Sequence, residues 1–131
     1  MIADVYIHPA LPALVRVFGS DFNSVEHVLA VNDEDEIILD AQIQDMYYVV
    51  DLYDLTISLD EMINTADVDA HPFKNYRHQH VIENLIIVPN SFYETAVQTF
   101  QSSIFGDLPV RICASMEEAL IYMEGQQEVA H

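Results

Sequence analysis

The chain repeats one local pattern three times: a short apolar run, then a serine, then a glutamate three residues after that serine. The runs are rich in β-branched residues and short, which is typical of strands that are buried on both faces of a sheet. The Ser-x-x-Glu spacing is that of a capping box at a helix N-terminus. The runs are residues 47–50, 85–88 and 110–114, and the boxes are Ser58 with Glu61, Ser91 with Glu94 and Ser115 with Glu118. The second half of the chain is therefore predicted to alternate strand and helix three times.

The first half of the chain gives weaker patterns. Residues 1–7 and 14–18 are strand candidates separated by prolines, and the two are predicted to form the edge of the sheet. A helix is predicted to begin near Ser24. The sequence is compatible with two ends for this helix. The helix either runs to about Ile43 with a kink near residues 32–36, or residues 37–39 form a separate short element.

These elements predict an α/β fold with a mixed sheet of about four to five strands, mostly parallel, and helices packed on it. The chain is interpreted as a single domain of residues 1–131 with its core between about 12 and 125. Apolar stripes at helical spacing are expected to pack on the sheet rather than line a ligand pocket. Gly125 is predicted to end the last helix, leaving residues 126–131 as a frayed tail.

Net charge is the most informative property of the composition. Twenty-two acidic residues against four basic ones give a formal net charge of −18. Nucleic-acid affinity depends on neutralising phosphates with Lys and Arg, so a nucleic-acid partner is excluded, and anionic membrane surfaces are repelled in the same way. The acidity indicates either a solvated surface adapted to a salty cytoplasm or a basic partner protein. The acidic run Asp33–Glu36 is interpreted as a solvated helix face.

Hydropathy and cysteine usage favour a cytoplasmic protein. Hydrophobic residues make up 51% of the chain, but no run approaches the roughly 20 apolar residues of a membrane span, and no signal peptide is recognised. Cys113 is the one cysteine and lies in a predicted buried strand, so it is expected to serve as a small core residue.

The carboxyl ends of the predicted parallel strands are where α/β proteins place their sites. A phosphate-binding loop there needs glycines, and with three glycines in the chain dinucleotide and P-loop chemistry are excluded. Asp51 and Asp54 follow the first central strand and are candidates for a carboxylate pair or a hard-cation site. Turn-forming, solvated aspartates are the simpler interpretation. No cofactor is predicted.

One segment is basic. Residues 70–80 contain His71, His78 and His80 together with Lys74 and Arg77, which are half of the basic residues of the chain. The histidine spacing does not match the i, i+4 pair of a helical zinc site, although His78 and His80 are weak metal candidates on one side of an extended segment. A connecting loop that balances the acidic body is the favoured interpretation.

The order of these elements resembles the STAS domain. The resemblance rests on the strand that ends Tyr47-Tyr48-Val49-Val50-Asp51-Leu52 and on the closing serine-led helix with Glu117-Glu118-Ala119-Leu120, and it covers residues 12 to 125. The chain is most similar to divergent bacterial single-domain members, often described as SpoIIAA-like. The resemblance implies a protein–protein interaction or regulatory module without enzymatic activity.

In the anti-sigma-factor antagonists of that family, a serine at a helix N-terminus is phosphorylated by a partner kinase. The matching position is Ser58, with Thr56 as second choice, but the segment lacks the Asp-Ser pair and glycine of the family motif, and neighbouring carboxylates oppose a phosphate. Plain helix capping by Ser58 is favoured over phosphorylation.

Two functions remain open from the sequence. The first is an interaction module whose surface around Asp54, Leu59, Met62 and Ile63 docks a basic partner or a second copy, with a homodimer as one outcome. The second is a small-ligand-binding protein or enzyme with a pocket at the strand carboxyl ends, formed by Asp51, Asp54 and the histidine segment. The first is favoured because no catalytic constellation is recognised.

Overall fold

A computed structural model describes residues 3–19, 25–54, 75, 78–89 and 110–129. The described strands and helices follow the predicted α/β order. The strands are β1 (Ala3–Ile7), β2 (Ala13–Phe18), β3 (Met46–Asp51), β4 (Val81–Ile87) and β5 (Val110–Cys113), and the helices are α1 (Val25–Asp40) and α2 (Met116–Val129). The helices predicted after Ser58 and Ser91 lie outside the described residues.

The five strands form one sheet in the order β1-β2-β3-β4-β5. β1 pairs antiparallel with β2, and β2, β3, β4 and β5 are parallel. This mixed, mostly parallel sheet confirms the predicted fold class. The prediction that the two N-terminal strands form one edge of the sheet is confirmed: β1 is the outermost strand, and β2 lies between β1 and β3 and is almost entirely buried.

The two described helices lie on opposite faces of the sheet, so alternate residues of each central strand enter different cores. Tyr48 and Val50 of β3 face α1, whereas Tyr47 and Val49 face α2. The α1 core contains Leu14, Phe18, Val31, Leu39, Tyr48, Val50, Leu52, Ile86 and Val88. The α2 core contains Leu11, Ala13, Val15, Tyr47, Val49, Leu85, Ile87, Cys113, Ala119 and Met123. Burial on both faces explains why the central strands are continuous apolar runs.

Helix α1 settles the choice between one helix and two elements. It is continuous from Val25 to Asp40, including the acidic run, and Val31 and Leu39 contact the sheet from the same side of the helix. It ends three residues before the predicted Ile43, in a turn in which the Ala41 amide donates to the Ile37 carbonyl.

Helix α2 begins at the predicted capping box. The Glu118 amide donates to Ser115 Oγ at 3.1 Å, and Glu118 Oε2 accepts from the Ala114 amide at 3.1 Å. The predicted end at Gly125 is wrong, because α2 continues to Val129 and residues 126–129 are helical. A glycine inside a helix costs about 1 kcal/mol relative to alanine, and the glutamines and glutamate that follow Gly125 have high helix propensity, so one glycine does not end the helix. No helix in the described part of the chain is long and apolar enough to cross a membrane.

Candidate functional site

A buried ion pair lies between β2 and α1. Arg16 extends from the middle of β2, and Asp35 extends from α1 toward the sheet, with exposed fractions of 2% and 0%. Arg16 Nη2 is 2.5 Å from Asp35 Oδ1, and Arg16 Nε is 3.1 Å from the same oxygen. The guanidinium therefore contacts the carboxylate through two nitrogens, a geometry that lysine cannot reproduce.

Two further side chains, those of Tyr48 and Glu34, bind the Arg16–Asp35 pair. The Tyr48 hydroxyl donates to Asp35 Oδ2, so both carboxylate oxygens are occupied. Arg16 Nη2 also donates to Glu34 Oε1 at 2.6 Å, and Glu34 is half exposed. Burial alone would lower the pKa of Arg16, but the hydrogen bonds and negative charges of Asp35 and Glu34 outweigh it and raise this pKa above its ordinary value. Arg16 is therefore a permanent buried cation whose Nε and Nη2 groups donate to carboxylates.

The same side of α1 is tied to the segment that precedes β4. Asn75 is buried, and its Nδ2 donates to the Asn32 carbonyl of α1 at 2.9 Å. The Asn75 carbonyl in turn accepts from the His78 amide at 3.0 Å. Together with the Arg16–Asp35 pair, this contact fixes the rotation of α1 about its own axis relative to the sheet.

His78 and His80 lie at the amino end of β4. Their rings stack with centroids 5.5 Å apart, His78 Nε2 is 2.6 Å from Asp40 Oδ1, and His80 Nδ1 is 3.6 Å from Asp45 Oδ1. His78 Nδ1 accepts from the His80 amide at 3.1 Å, so in its neutral form the Nε2–H donates to Asp40. Both ring nitrogens of His78 are thus engaged in protein contacts, and across the described ranges no group of three or more His, Cys, Asp or Glu residues could hold a metal ion.

Asp51 and Asp54 lie at the opposite end of the sheet, where β3 ends. Asp51 Oδ1 accepts from the Tyr53 amide at 3.0 Å, which is the contact of an Asx turn. Burial raises the pKa of Asp51, the Tyr53 hydrogen bond opposes this effect, and the charge of Asp54 adds to it. Asp54 is exposed, and its neighbour Tyr53 is 55% exposed.

The structure does not bring the predicted site residues together. His80 pairs with the start of β3, since its carbonyl accepts from the Met46 amide, whereas Asp51 ends that strand. Five residue steps along a strand separate the two ends by roughly 17 Å. The predicted pocket that combines Asp51 and Asp54 with His78 and His80 is therefore wrong, whereas His71 lies outside the described residues. Ser58, Thr56, Leu59, Met62 and Ile63 lie outside the described residues.

A second polar contact lies on the α2 face. The Tyr122 hydroxyl donates to Glu83 Oε1, and the Arg111 guanidinium lies 3.9 Å from the centroid of the Tyr122 ring. Arg111 also approaches Glu83 Oε2 at 3.7 Å. This contact holds α2 against β4 and β5, and it uses a further basic residue of the chain.

Sequence reasoning missed Arg16 and Asp35. The interpretation of Asp33–Glu36 as a solvated face is wrong at Asp35, although Asp33, Glu34 and Glu36 are exposed. Two signals in the sequence indicate the pair: Arg16 is a charge in the middle of an apolar strand, and Asp35 stands one helical turn after Val31 and one before Leu39. Charges in such positions are expected to be paired.

The outer side of α1 combines carboxylates with an apolar side chain. Asp33, Glu36 and Asp40 are exposed, and Ile37 between them is 70% exposed. Spacings of three and four residues place these four side chains on one face of the helix, here named the α1 ridge. Ile43 in the following turn is fully exposed.

Comparison with protein-family models, with curated proteins and with solved structures finds no match to this chain.

Proposed function

We propose that this chain is a protein–protein interaction module of the STAS, SpoIIAA-like kind, without enzymatic activity, and that its α1 ridge docks a basic partner. The observation that carries the proposal is the ridge itself. Ile37 is 70% exposed between three carboxylates, so an apolar side chain and negative charges lie together on one helix face that a protein partner can recognise. A partner with an apolar side chain between lysines or arginines complements it.

The contacts beneath the ridge support the same function. Asp35 holds α1 to Arg16 from the buried side, and Asn32 holds it to Asn75. A helix whose rotation is fixed presents its outer face in one orientation, and a preorganised surface loses less entropy on binding. The net charge of −18 extends the attraction beyond the contact itself and speeds encounter with a cationic partner.

The polar groups of the described residues support an interaction module more than an enzyme. Arg16 and Tyr48 both donate to Asp35, and His78 and His80 lie near Asp40 and Asp45. Strands β2 to β5 follow one another without a reversal of order, whereas open α/β sheets bind ligands in the crevice where the order reverses. The regulatory assignments of Ser58 and Thr56, and a partner surface that includes Asp54, belong to the same proposal.

One observation favours the alternative of a small-ligand-binding protein or enzyme. Asp51 is partly buried at a strand carboxyl end, and its raised pKa is a feature of acid–base groups in active sites. Its hydrogen bond to the Tyr53 amide gives it a structural role in the turn. The interaction module therefore remains the function that the geometry favours.

The test is capture of binding proteins from native cell lysate on the immobilised chain, with Ile37→Asp as the ridge variant. Ile121→Asp is the matched control, because Ile121 is 62% exposed on α2. The proposal predicts a basic protein that elutes with salt, is lost with Ile37→Asp and is kept with Ile121→Asp.

A second pair of variants tests how much the charge of the ridge contributes to capture. Asp33→Asn with Glu36→Gln removes two charges from the ridge, and Glu117→Gln with Glu124→Gln removes two exposed charges from α2. Capture should weaken only with the ridge pair. Equal weakening by both pairs, or capture of a small molecule without a protein, contradicts the proposal.

A further inference from the structure

The outer edge of β1 is open in the described structure. β1 is the first strand of the sheet, and within residues 3–19, 25–54, 75, 78–89 and 110–129 its one strand partner is β2. Asp4, Tyr6 and Ile7 are exposed, with 44% of Tyr6 and 43% of Ile7 in water. Exposed aromatic and branched side chains on an edge strand favour addition of another strand.

The direction of the backbone groups follows from the hairpin. The His8 amide donates to the Ala13 carbonyl at 2.9 Å, so this pair is hydrogen-bonded. In an antiparallel ladder, hydrogen-bonded pairs alternate with pairs that are not hydrogen-bonded. The amides of Asp4 and Tyr6 therefore point toward β2, and the amides and carbonyls of Val5 and Ile7 point outward.

The residues and register of β1 itself show few of the devices that protect natural sheet edges. Its residues include no proline and no lysine, and its register with β2 runs from Ala3↔Phe18 to Ile7↔Leu14 without a bulge. Asp4 is the one charged residue of the strand. The chain has a net charge of −18, but β1 carries a single charged residue, so little charge at this edge opposes pairing with β1 of a second copy.

We propose that β1 pairs antiparallel with β1 of a second copy of this chain, across a two-fold axis at Val5, to form one continuous sheet. This register places Val5 opposite Val5 and Ile7 opposite Ala3 of the second copy. Asp4 lies opposite Tyr6 of the second copy, so no two carboxylates lie directly opposite each other. Like charges in directly opposite positions would destabilise the paired strands. An axis at Val5, the middle residue of β1, uses the outward backbone groups of alternate residues and pairs all five residues of the strand. It does not depend on the proposed function.

Charge sets how this dimer responds to salt. Each copy carries a net charge of −18, so the two copies repel each other at long range while β1 contributes one aspartate per copy to the contact. Salt screens that repulsion. The dimer is therefore expected to strengthen as salt is raised, whereas binding of a basic partner weakens.

The first experiment measures the mass of the full chain by sedimentation equilibrium over a range of concentrations at low and high salt. The expected result is a monomer–dimer equilibrium that shifts toward dimer at high salt. Val5→Pro removes an outward amide and leaves the β1–β2 ladder intact, as edge prolines do, and should make the chain monomeric. A chain that is monomeric under all conditions, or a dimer unchanged by Val5→Pro, overturns the proposal.

A second substitution covers the case in which Val5→Pro unfolds the chain. Ile7→Lys adds a charge to the edge, and Ile121→Lys adds the same charge to an exposed position of α2. The dimer should be lost with Ile7→Lys and kept with Ile121→Lys. Equal effects of the two substitutions overturn the proposal.

Disulfide trapping tests the register. Two Val5 residues across the axis have Cα atoms about 5.5 Å apart, within the range of a disulfide, so Val5→Cys should cross-link on mild oxidation. Two Ile7 residues lie four positions apart along the paired strands, about 13 Å, so Ile7→Cys should not. Native Cys113 is buried and its pKa is raised to about 11, so it does not compete. Cross-linking by Ile7→Cys and not by Val5→Cys overturns the register.

Discussion

Arg16 and Asp35 show how a single buried charge constrains the rest of the chain. An arginine in the middle of an apolar strand must find a carboxylate, because an unpaired buried ion costs several kcal/mol. The carboxylate is supplied by α1 from the middle of an acidic run whose other members are exposed. Such a pair adds little net stability relative to a well-packed apolar pair, but a rotation of α1 that moves Asp35 away from Arg16 leaves the guanidinium without its buried partner.

Loss of one partner of this pair should therefore be far more harmful than loss of both. We expect Arg16→Met or Asp35→Leu alone to lower the free energy of unfolding by about 3–5 kcal/mol, since each leaves one buried charge without its buried partner. The double variant should recover most of that loss. Urea unfolding at neutral pH measures all three, with Glu34→Gln as the control because Glu34 is half exposed and should cost less than about 1 kcal/mol. Single variants that cost no more than this control would contradict a buried charge pair.

Asp51 gives a prediction of pH dependence. Burial raises its pKa in the folded chain, so the folded state favours the protonated carboxyl. Its contribution to stability is present below the ordinary aspartate pKa and is lost as pH rises through the raised value. Asp51→Asn keeps an oxygen for the Tyr53 amide and removes the charge.

We expect Asp51→Asn to be more stable than the parent chain near neutral pH, and this advantage should shrink as pH falls toward the ordinary aspartate range. Urea midpoints measured across that pH range check the prediction. Asp33→Asn removes the same charge from an exposed position and corrects for the change in net charge. A stability difference that does not change with pH once this control is subtracted would show that burial of Asp51 is not its cause.

At the scale of elements, local signals predicted the structure where they agreed with packing. The apolar runs of β3, β4 and β5 and the box at Ser115 were visible in the sequence because burial on both faces and capping each leave a distinct pattern. The continuity of α1 and the helical residues beyond Gly125 were not visible. Contacts with the sheet hold α1 together across its acidic run, and one glycine costs too little helix propensity to end α2. The Arg16–Asp35 pair joins positions 19 residues apart, and no local pattern encodes which charges meet.

Gly125→Ala tests the argument that this glycine weakens α2 without ending it. A Cβ added at Gly125 meets no atom within 4 Å, so alanine fits without strain. Gly125→Ala should raise the free energy of unfolding by about 0.5–1 kcal/mol, because it removes conformational entropy from the unfolded chain and favours the helix. Ser115→Ala in the same helix should act in the opposite direction, by about 1 kcal/mol, since it removes the cap. Thermal or urea unfolding of the two variants measures the sign of each change in the free energy of unfolding. A destabilising Gly125→Ala would contradict the open space around this position.

The whole molecule combines a nearly neutral interior with a strongly acidic exterior. Its described cores are apolar apart from a few buried polar side chains, such as those of Arg16 and Asp35, while the exposed sides of both helices carry carboxylates. Self-repulsion among exposed charges opposes the compact state and is screened by salt. The buried Arg16–Asp35 pair is screened much less, so the surface dominates the response of the molecule to ionic strength.

Added sodium chloride should therefore raise the urea midpoint of unfolding, most steeply at low ionic strength, where the Debye length falls from about 30 Å at 0.01 M to about 10 Å at 0.1 M. A variant with Asp33→Asn, Glu36→Gln, Glu117→Gln and Glu124→Gln loses four exposed charges and should gain less from the same salt. It should also start from a higher midpoint at low salt, because part of the repulsion is already removed. If parent and variant gained equally, the effect of salt would come from the solvent rather than from the surface charge, and the acidic exterior would have to be explained by recognition alone.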